Sequence, residues 1–74
     1  MVIKLGRYKH YKGNLYEVIG TARNTETLEI LVIYRALYDN YDLCARPLEM
    51  FCESVIIDEK NVPRFTYISE SAYQ

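Results

Sequence analysis

The chain has 74 residues, enough for one domain close to the lower size at which a core folds without disulfides, metals or a partner chain. Half of the residues are apolar and eight are tyrosine, which is the composition of an ordered globular domain and excludes a disordered segment. The net charge of −1 excludes the strongly basic surface with which proteins usually hold long nucleic acids.

The first predicted strand is Arg7–Tyr11, which follows Gly6 and precedes the turn residues Lys12-Gly13-Asn14. The second predicted strand covers residues 15–23. Its alternation places four side chains on one face: Tyr16, Val18, Gly20 and Ala22. The turn between the two strands predicts a chain reversal.

Residues 28–38 form the longest apolar run and follow a polar turn at 24–27. The β-branched residues at its centre and Tyr34 favour a strand buried on both faces over a helix. A second polar turn at 39–42 leads into a predicted strand at 43–46.

Pro47 and the apolar spacing that follows it predict a short helical turn at 47–52. Strands are predicted at 55–57 and 64–68, with a turn at 58–61 between them, and the polar residues 69–74 are expected to be frayed. Five or six short strands favour a mainly β fold, namely a small, partly open antiparallel barrel, because closure hides strand edges. We expect a single domain over residues 1–74 with an ordered core at about 6–68.

Cations and aromatic rings alternate in the first predicted strand. Side chains of a strand point to alternate faces, so Arg7, Lys9 and Tyr11 are expected on one face and Tyr8, His10 and Lys12 on the other. Either face could bind an anion beside a flat ring, and rings beside cations are typical of nucleotide sites and of protein interfaces. The predicted ligand-binding residues are Arg7, Tyr8, Lys9, His10, Tyr11, Lys12, Arg35, Arg46 and Arg64.

Three of the four arginines in that set, Arg35, Arg46 and Arg64, lie in or beside apolar strands, where a guanidinium usually has a partner. One interpretation pairs Arg35 and Arg46 with Glu26, Glu29 or Glu49. The other directs them at an anionic ligand, since the guanidinium fork binds phosphate or carboxylate through two hydrogen bonds. The sequence leaves both interpretations open for all three arginines.

The charge is divided unevenly along the chain. Residues 1–35 carry six Lys or Arg and three Glu, giving +3, whereas residues 36–74 carry three Lys or Arg and seven Asp or Glu, giving −4. Two or three cations are enough for a small anion but not for a long polyanion. The positive half of one chain would attract the negative half of a neighbouring chain, so the sequence also leaves a homo-oligomer open.

His10 could exchange a proton near neutral pH, but the sequence offers it no orienting carboxylate or activated nucleophile. We therefore expect no enzymatic activity. Cys44 and Cys52 lack the spacing and the further ligands of a zinc site, so we expect free thiols, a reducing cytoplasm, no metal and no cofactor. The first five residues lack the continuous apolar run of a signal peptide, and no stretch reaches the length needed to span a membrane, so we expect no association with a membrane.

Several motifs occur in an order that resembles a known family. They are Tyr8-Lys9-His10-Tyr11-Lys12-Gly13, Leu15-Tyr16-Glu17-Val18, Thr25-Glu26-Thr27, Val32-Ile33-Tyr34-Arg35, Arg46-Pro47-Leu48-Glu49-Met50-Phe51 and Val62-Pro63-Arg64-Phe65. Together they resemble the small bacterial and phage proteins of the DUF1653 family, over about residues 6–68. The resemblance implies a compact β-rich domain, with a small, partly open, SH3-like barrel as the expected fold, and brings no established activity. Asn24 and Leu43-Cys44-Ala45 depart from the family pattern, which has a histidine and a more aromatic segment there.

The sequence thus predicts non-catalytic binding of a small anionic ligand, with a nucleotide or nucleotide-derived signal as the sharpest form. Such a domain could sequester its ligand. The alternative is an SH3-like adaptor that binds a peptide in a tyrosine-rich groove, and the third option is an RNA- or DNA-binding module.

Overall fold

The computed structural model describes residues 3–70 and contains seven strands and one short helix. In chain order they are β1 (Gly6–His10), β2 (Leu15–Arg23), β3 (Ile30–Ala36), β4 (Leu43–Pro47), α1 (Leu48–Phe51), β5 (Ser54–Ile57), β6 (Lys60–Pro63) and β7 (Phe65–Ser69). The predicted mainly β fold class is confirmed. The expected fraying at 69–74 lies mostly outside the described residues, although Ser69 belongs to β7.

Five strands form one antiparallel sheet in the order β4-β3-β2-β1-β7, and β5 and β6 form a separate hairpin. The two edge strands, β4 and β7, do not pair with each other, so the sheet is open rather than a closed barrel. Strand β6 occupies the end of the predicted turn at 58–61. The actual turn consists of Asp58 and Glu59, whose φ angles of 49° and 65° form a tight two-residue connection.

One face of the large sheet, the inner face, carries the hydrophobic core. Its buried residues are Tyr8, Val18, Val32, Tyr34, Phe51 and Phe65. The rings of Phe51 and Phe65 stack at 4.1 Å between centroids, and Tyr8 packs edge-on against Phe51. Helix α1 thus covers the inner face mainly through one aromatic side chain.

Helix α1 begins immediately after β4 because Pro47 is both the last residue of β4 and the N-cap of the helix. Its φ of −52° is fixed by the ring, while its ψ of 139° is still extended, so the helix starts at the next residue. The predicted helical turn at 47–52 is confirmed to within one residue at each end. Its brevity leaves only Phe51 buried.

The opposite face of the sheet, the outer face, has no layer packed on it within residues 3–70. Strand β3 shows this most clearly, because Val32 and Tyr34 are buried whereas Leu31 and Ile33 are only half-buried. The prediction that this strand is buried on both faces is wrong for the single chain. Its apolar outward residues remain in contact with solvent.

A β-bulge at Ile19 changes the predicted faces of β2. Val18 pairs with Tyr34, but Gly20 pairs with the next residue back along β3, Ile33. The extra residue moves Gly20 and Ala22 to the outer face, so the expectation that they share a face with Tyr16 and Val18 is wrong.

Gly6 allows the beginning of β1 to lie against the end of β7. Its φ is +132°, and a Cβ built on it would stand 2.5 Å from the carbonyl oxygen of Ser69. Only glycine fits such a position, because any side chain would clash with backbone that cannot move independently. The first and last described strands therefore meet at a glycine-specific contact.

Candidate functional site

His10 lies at the end of β1 among aromatic rings. Its ring is 4.5 Å from that of Tyr11 and 4.9 Å from that of Phe65, between centroids. The backbone N–H of Lys12 donates to His10 Nδ1 at 3.1 Å. Because Nδ1 accepts this hydrogen bond, the proton of the neutral imidazole resides on Nε2, which is then a hydrogen-bond donor.

Burial and three nearby cations disfavour the charged form of His10. Burial is the largest cause that lowers the pKa of His10 below its usual 6.5, and Arg64, Arg46 and Lys12 lower it further. These cations come from three separate segments, the β1–β2 turn, β4 and the residue before β7. We call His10, Lys12, Arg46 and Arg64 the histidine–arginine cluster.

Arg46 projects from β4 onto the inner face. Its Nε donates to the hydroxyl of Tyr34 at 3.3 Å, and its guanidinium carbon is 6.0 Å from the ring centroid of Phe65. Among the described residues Arg46 forms no ion pair with Glu26, Glu29 or Glu49, the partners suggested by the sequence. Its charge is therefore held by an aromatic surface and a hydroxyl, and it stays available to an anion.

Arg64 forms an ion pair with Glu53 at 3.1 Å between Nη2 and Oε1. The backbone also joins them, since the Arg64 N–H donates to the Glu53 carbonyl at 3.0 Å. Arg64 is 21% exposed and Glu53 is 52% exposed, and Arg64 Nε is buried without a hydrogen-bond partner. An exposed carboxylate is a weak partner that an incoming anion can replace.

Tyrosine hydroxyls line the region beside the cluster. The hydroxyls of Tyr16 and Tyr38 are 2.6 Å apart, and the Tyr16 ring packs edge-on against Phe65. Burial, followed by the hydrogen bond shared with Tyr38, raises the pKa of Tyr16 to about 12. The Tyr16 hydroxyl therefore stays protonated at neutral pH and can donate a hydrogen bond.

A shallow groove of about 280 Å³ begins beside His10. Its lining is mostly apolar and comes from β1, β6 and β7, namely Lys9, His10, Tyr11, Val62, Pro63, Thr66 and Ile68. Tyr11 is fixed there because its N–H donates to the carbonyl of Arg64 at 2.9 Å. The groove and the histidine–arginine cluster thus share His10 and are adjacent.

The structure divides the predicted site residues between the two faces. Arg7 and Arg35 lie on the outer face, where each pairs in register with Glu17, and Lys9 lines the outer side of the groove. Arg35 donates to the Tyr41 carbonyl at 2.8 Å rather than to a glutamate. Only His10, Tyr11, Lys12, Arg46 and Arg64 come together.

Tyr8 belongs to the core rather than to a binding surface. Its ring is 7% exposed and packs edge-on against Phe51 and Tyr67, and its hydroxyl donates to the Lys4 carbonyl at 2.6 Å. Burial raises its pKa, in keeping with a ring that does not reach solvent. The expectation that Tyr8 stacks on a ligand is not compatible with this position.

Sequence reasoning missed three residues beside the cluster. Tyr34 lies in β3 and Tyr38 in the loop that follows it. Their spacing of four residues is only a weak indication that both lie beside the cluster. Glu53 precedes its partner Arg64 by 11 residues, and nothing in that spacing predicts their contact. Their proximity depends on the path of the β5–β6 hairpin.

Two further observations concern the described part of the chain. Across residues 3–70, no group of three or more His, Cys, Asp or Glu side chains is arranged to hold a metal ion. The single helix in that range, with four residues, is too short to cross a membrane.

The fold and site define a small open-sheet β domain with a neutral histidine among cations at one end of its core. The sequence profile of the "Protein of unknown function (DUF1653)" family matches residues 6–67, and the chain belongs to this family. The crystal structure of a DUF1653 protein from Bordetella bronchiseptica is similar to it, with 34% sequence identity and a TM-score of 0.84. That match covers 97% of this chain and 95% of the other. No curated protein matches the chain.

Proposed function

We propose that the chain is a non-catalytic domain that binds a small anionic ligand. In its most specific form, the proposal is that this ligand is a nucleotide or a nucleotide-derived signal. The observation that supports this proposal is the approach of Arg46 and Arg64 to His10 beside aromatic rings. Two guanidinium groups and a neutral imidazole N–H suit a phosphate, because each of these groups donates hydrogen bonds to phosphate oxygens in its usual charge state.

Arg46 and Arg64 play different parts in this proposal. Arg46 has only a hydroxyl and a ring as partners, so it contacts a phosphate without breaking an ion pair. Arg64 exchanges the Glu53 carboxylate for the ligand, a small loss because Glu53 is largely exposed. Lys12 adds an exposed cation at the rim, 5.9 Å from the Tyr11 ring centroid.

The proposed place for a base is the start of the groove. The rings of Tyr11 and His10 are adjacent there, with their planes tilted by 31° to one another. Pro63 and Ile68 continue the apolar surface. Base stacking on such a ring contributes about 1–3 kcal/mol and tolerates different bases. A domain of this kind holds its ligand without converting it, which suits sequestration in the cytoplasm.

The surroundings of His10 support the non-catalytic part of the proposal. A general base is usually oriented by a carboxylate, whereas His10 Nδ1 accepts from a backbone N–H. The cations around the ring also lower its pKa and so weaken it as a base. These features favour a hydrogen-bond donor over a proton-transfer group.

The proposal is tested with Arg46→Ala and with Arg35→Ala as a matched control on the outer face. Inorganic phosphate, the nucleoside monophosphates and cyclic dinucleotides serve as probes in an NMR titration of backbone and His10 resonances. We expect at least one nucleotide to shift His10 and Tyr11, with binding lost in Arg46→Ala and retained in Arg35→Ala. Equal binding by the two variants, or no shift with any probe, contradicts the proposal.

The adaptor function is a second candidate because the groove beside Tyr11 and Pro63 is largely apolar. A peptide site of this kind depends on rings more than on charge. Tyr11→Ala would then abolish binding while Arg46→Ala leaves it intact, the reverse of the order expected for an anion. An RNA or DNA ligand would be recognised by a steep loss of affinity with salt.

A further inference from the structure

The outer face of the sheet carries apolar side chains where β2, β3 and β4 lie next to one another. An antiparallel sheet with one solvated face normally alternates apolar and polar residues, but β3 has Leu31 and Ile33 facing outward. Leu43 is 57% exposed beside them. We call Ile19, Leu31, Ile33, Leu43 and Ala45 the outer patch.

A row of alternating charge borders the outer patch. Arg7, Glu17 and Arg35 are directly paired across β1, β2 and β3, so positive, negative and positive side chains stand side by side. Leu43 continues the row on β4. When a second copy faces this row and is shifted sideways by one strand, the Glu17 of each row stands opposite an arginine of the other.

We propose that a second copy of this chain covers the outer patch in a face-to-face dimer. The two-fold axis runs parallel to the strands, between β2 and β3, so β2 of one protomer lies over β3 of its partner. Glu17 then meets the partner's Arg35, and Ile19 meets the partner's Ile33. Each contact occurs twice, as an isologous interface requires. This proposal is independent of the ligand, because the outer patch shares no residue with the histidine–arginine cluster or with the groove.

The dimer is tested by reversing the charges in separate chains. Sedimentation analysis should show that Glu17→Arg and Arg35→Glu each weaken self-association by roughly 100-fold or more, because like charges then face each other. An equimolar mixture of the two variants should dimerise again, since both interchain contacts are complementary. Positions 17 and 35 still carry like charges within each chain, so the rescue reports only the contact between chains.

A second pair of variants identifies the surface and controls for charge. Leu43→Lys places an ammonium in the outer patch, opposite the partner's Arg7 in this arrangement, and Ile56→Lys places one on the 69% exposed β5–β6 residue. Only Leu43→Lys should weaken the dimer, with circular dichroism confirming that both variants fold. A wild-type chain that is monomeric at the highest soluble concentration, no rescue on mixing, or equal weakening by both variants overturns the proposal.

Discussion

The two faces of the large sheet are made by the same strands but differ in what covers them. On the inner face Val32 and Tyr34 are buried under Phe51 and Phe65, whereas on the outer face their neighbours Ile33 and Arg35 meet solvent. Adjacent residues of one strand therefore face different environments. Stability and the histidine–arginine cluster belong to the inner face, and the proposed dimer contact belongs to the outer one.

The largest contrast should come from truncating one apolar side chain on each face. Phe51→Ala removes a ring that packs against Phe65, Tyr8 and Tyr34, and should lower the free energy of unfolding by about 3–5 kcal/mol. Leu43→Ala on the outer face should change it by less than about 0.5 kcal/mol in the monomer. Denaturant unfolding in dilute solution measures both, and similar losses would contradict this division.

A smaller effect should come from the hydroxyl pair beside the core. Tyr16→Phe removes the hydrogen bond to Tyr38 and should cost about 1 kcal/mol. The effects of Tyr16→Phe and Tyr38→Phe should not add, because both remove the same bond. Additive losses in the double variant would mean that the two hydroxyls do not depend on each other.

The same pair gives a prediction for alkaline pH. The folded-state pKa of Tyr16, about 12, lies above the unfolded value of 10, so the unfolded chain loses this proton first. The stabilisation from Tyr16 is therefore complete below pH 10 and is lost as the pH rises toward 12. Unfolding free energies across this range, with Tyr16→Phe for comparison, should show a shallower fall in the variant.

The finest contrast concerns the pKa of His10. Arg64→Ala and Arg46→Ala should each raise it, Arg64→Ala more, because these inner-side cations are the second and third causes of its depression after burial. Arg35→Ala on the outer face should leave it unchanged. An NMR titration of the imidazole measures all three, and a shift in Arg35→Ala equal to that in Arg46→Ala would remove the distinction between the faces.

The sign of the His10 contribution to stability follows from the same depression. The folded-state pKa is below the unfolded value of 6.5, so the unfolded chain binds this proton more readily. The contribution is thus present above pH 6.5 and is lost as the pH falls. Relieving the depression with Arg64→Ala should therefore make stability less sensitive to acid.

The strands could be predicted because their signals are local. Alternating side chains in β1 and the apolar, β-branched run of β3 indicate strands whatever surrounds them, and Pro47 marks the start of α1. The face of the sheet on which a side chain lies, in contrast, depends on how its strand pairs with the neighbouring strand. The bulge at Ile19 arises from the register between β2 and β3, which no single segment encodes.

The candidate site was predicted in composition but not in arrangement. The sequence correctly places Arg7 and Lys9 on one side of β1 and His10 on the other. It cannot show that Arg46 and Arg64, far along the chain, join His10 while Arg35 lies on the opposite face. The cluster depends on long-range pairing of β1 with β7 and of β3 with β4, and the Glu53 contact depends on the intervening hairpin.

The contact between Gly6 and Ser69 also determines how the domain can be joined to other sequences. Because β1 begins where β7 ends, the chain enters and leaves the sheet at one place. Domains with neighbouring ends tolerate circular permutation and insertion into a surface loop of a host protein. The DUF1653 sheet is therefore suited to use as a modular insert, provided that a glycine is kept at the point where its two ends pass.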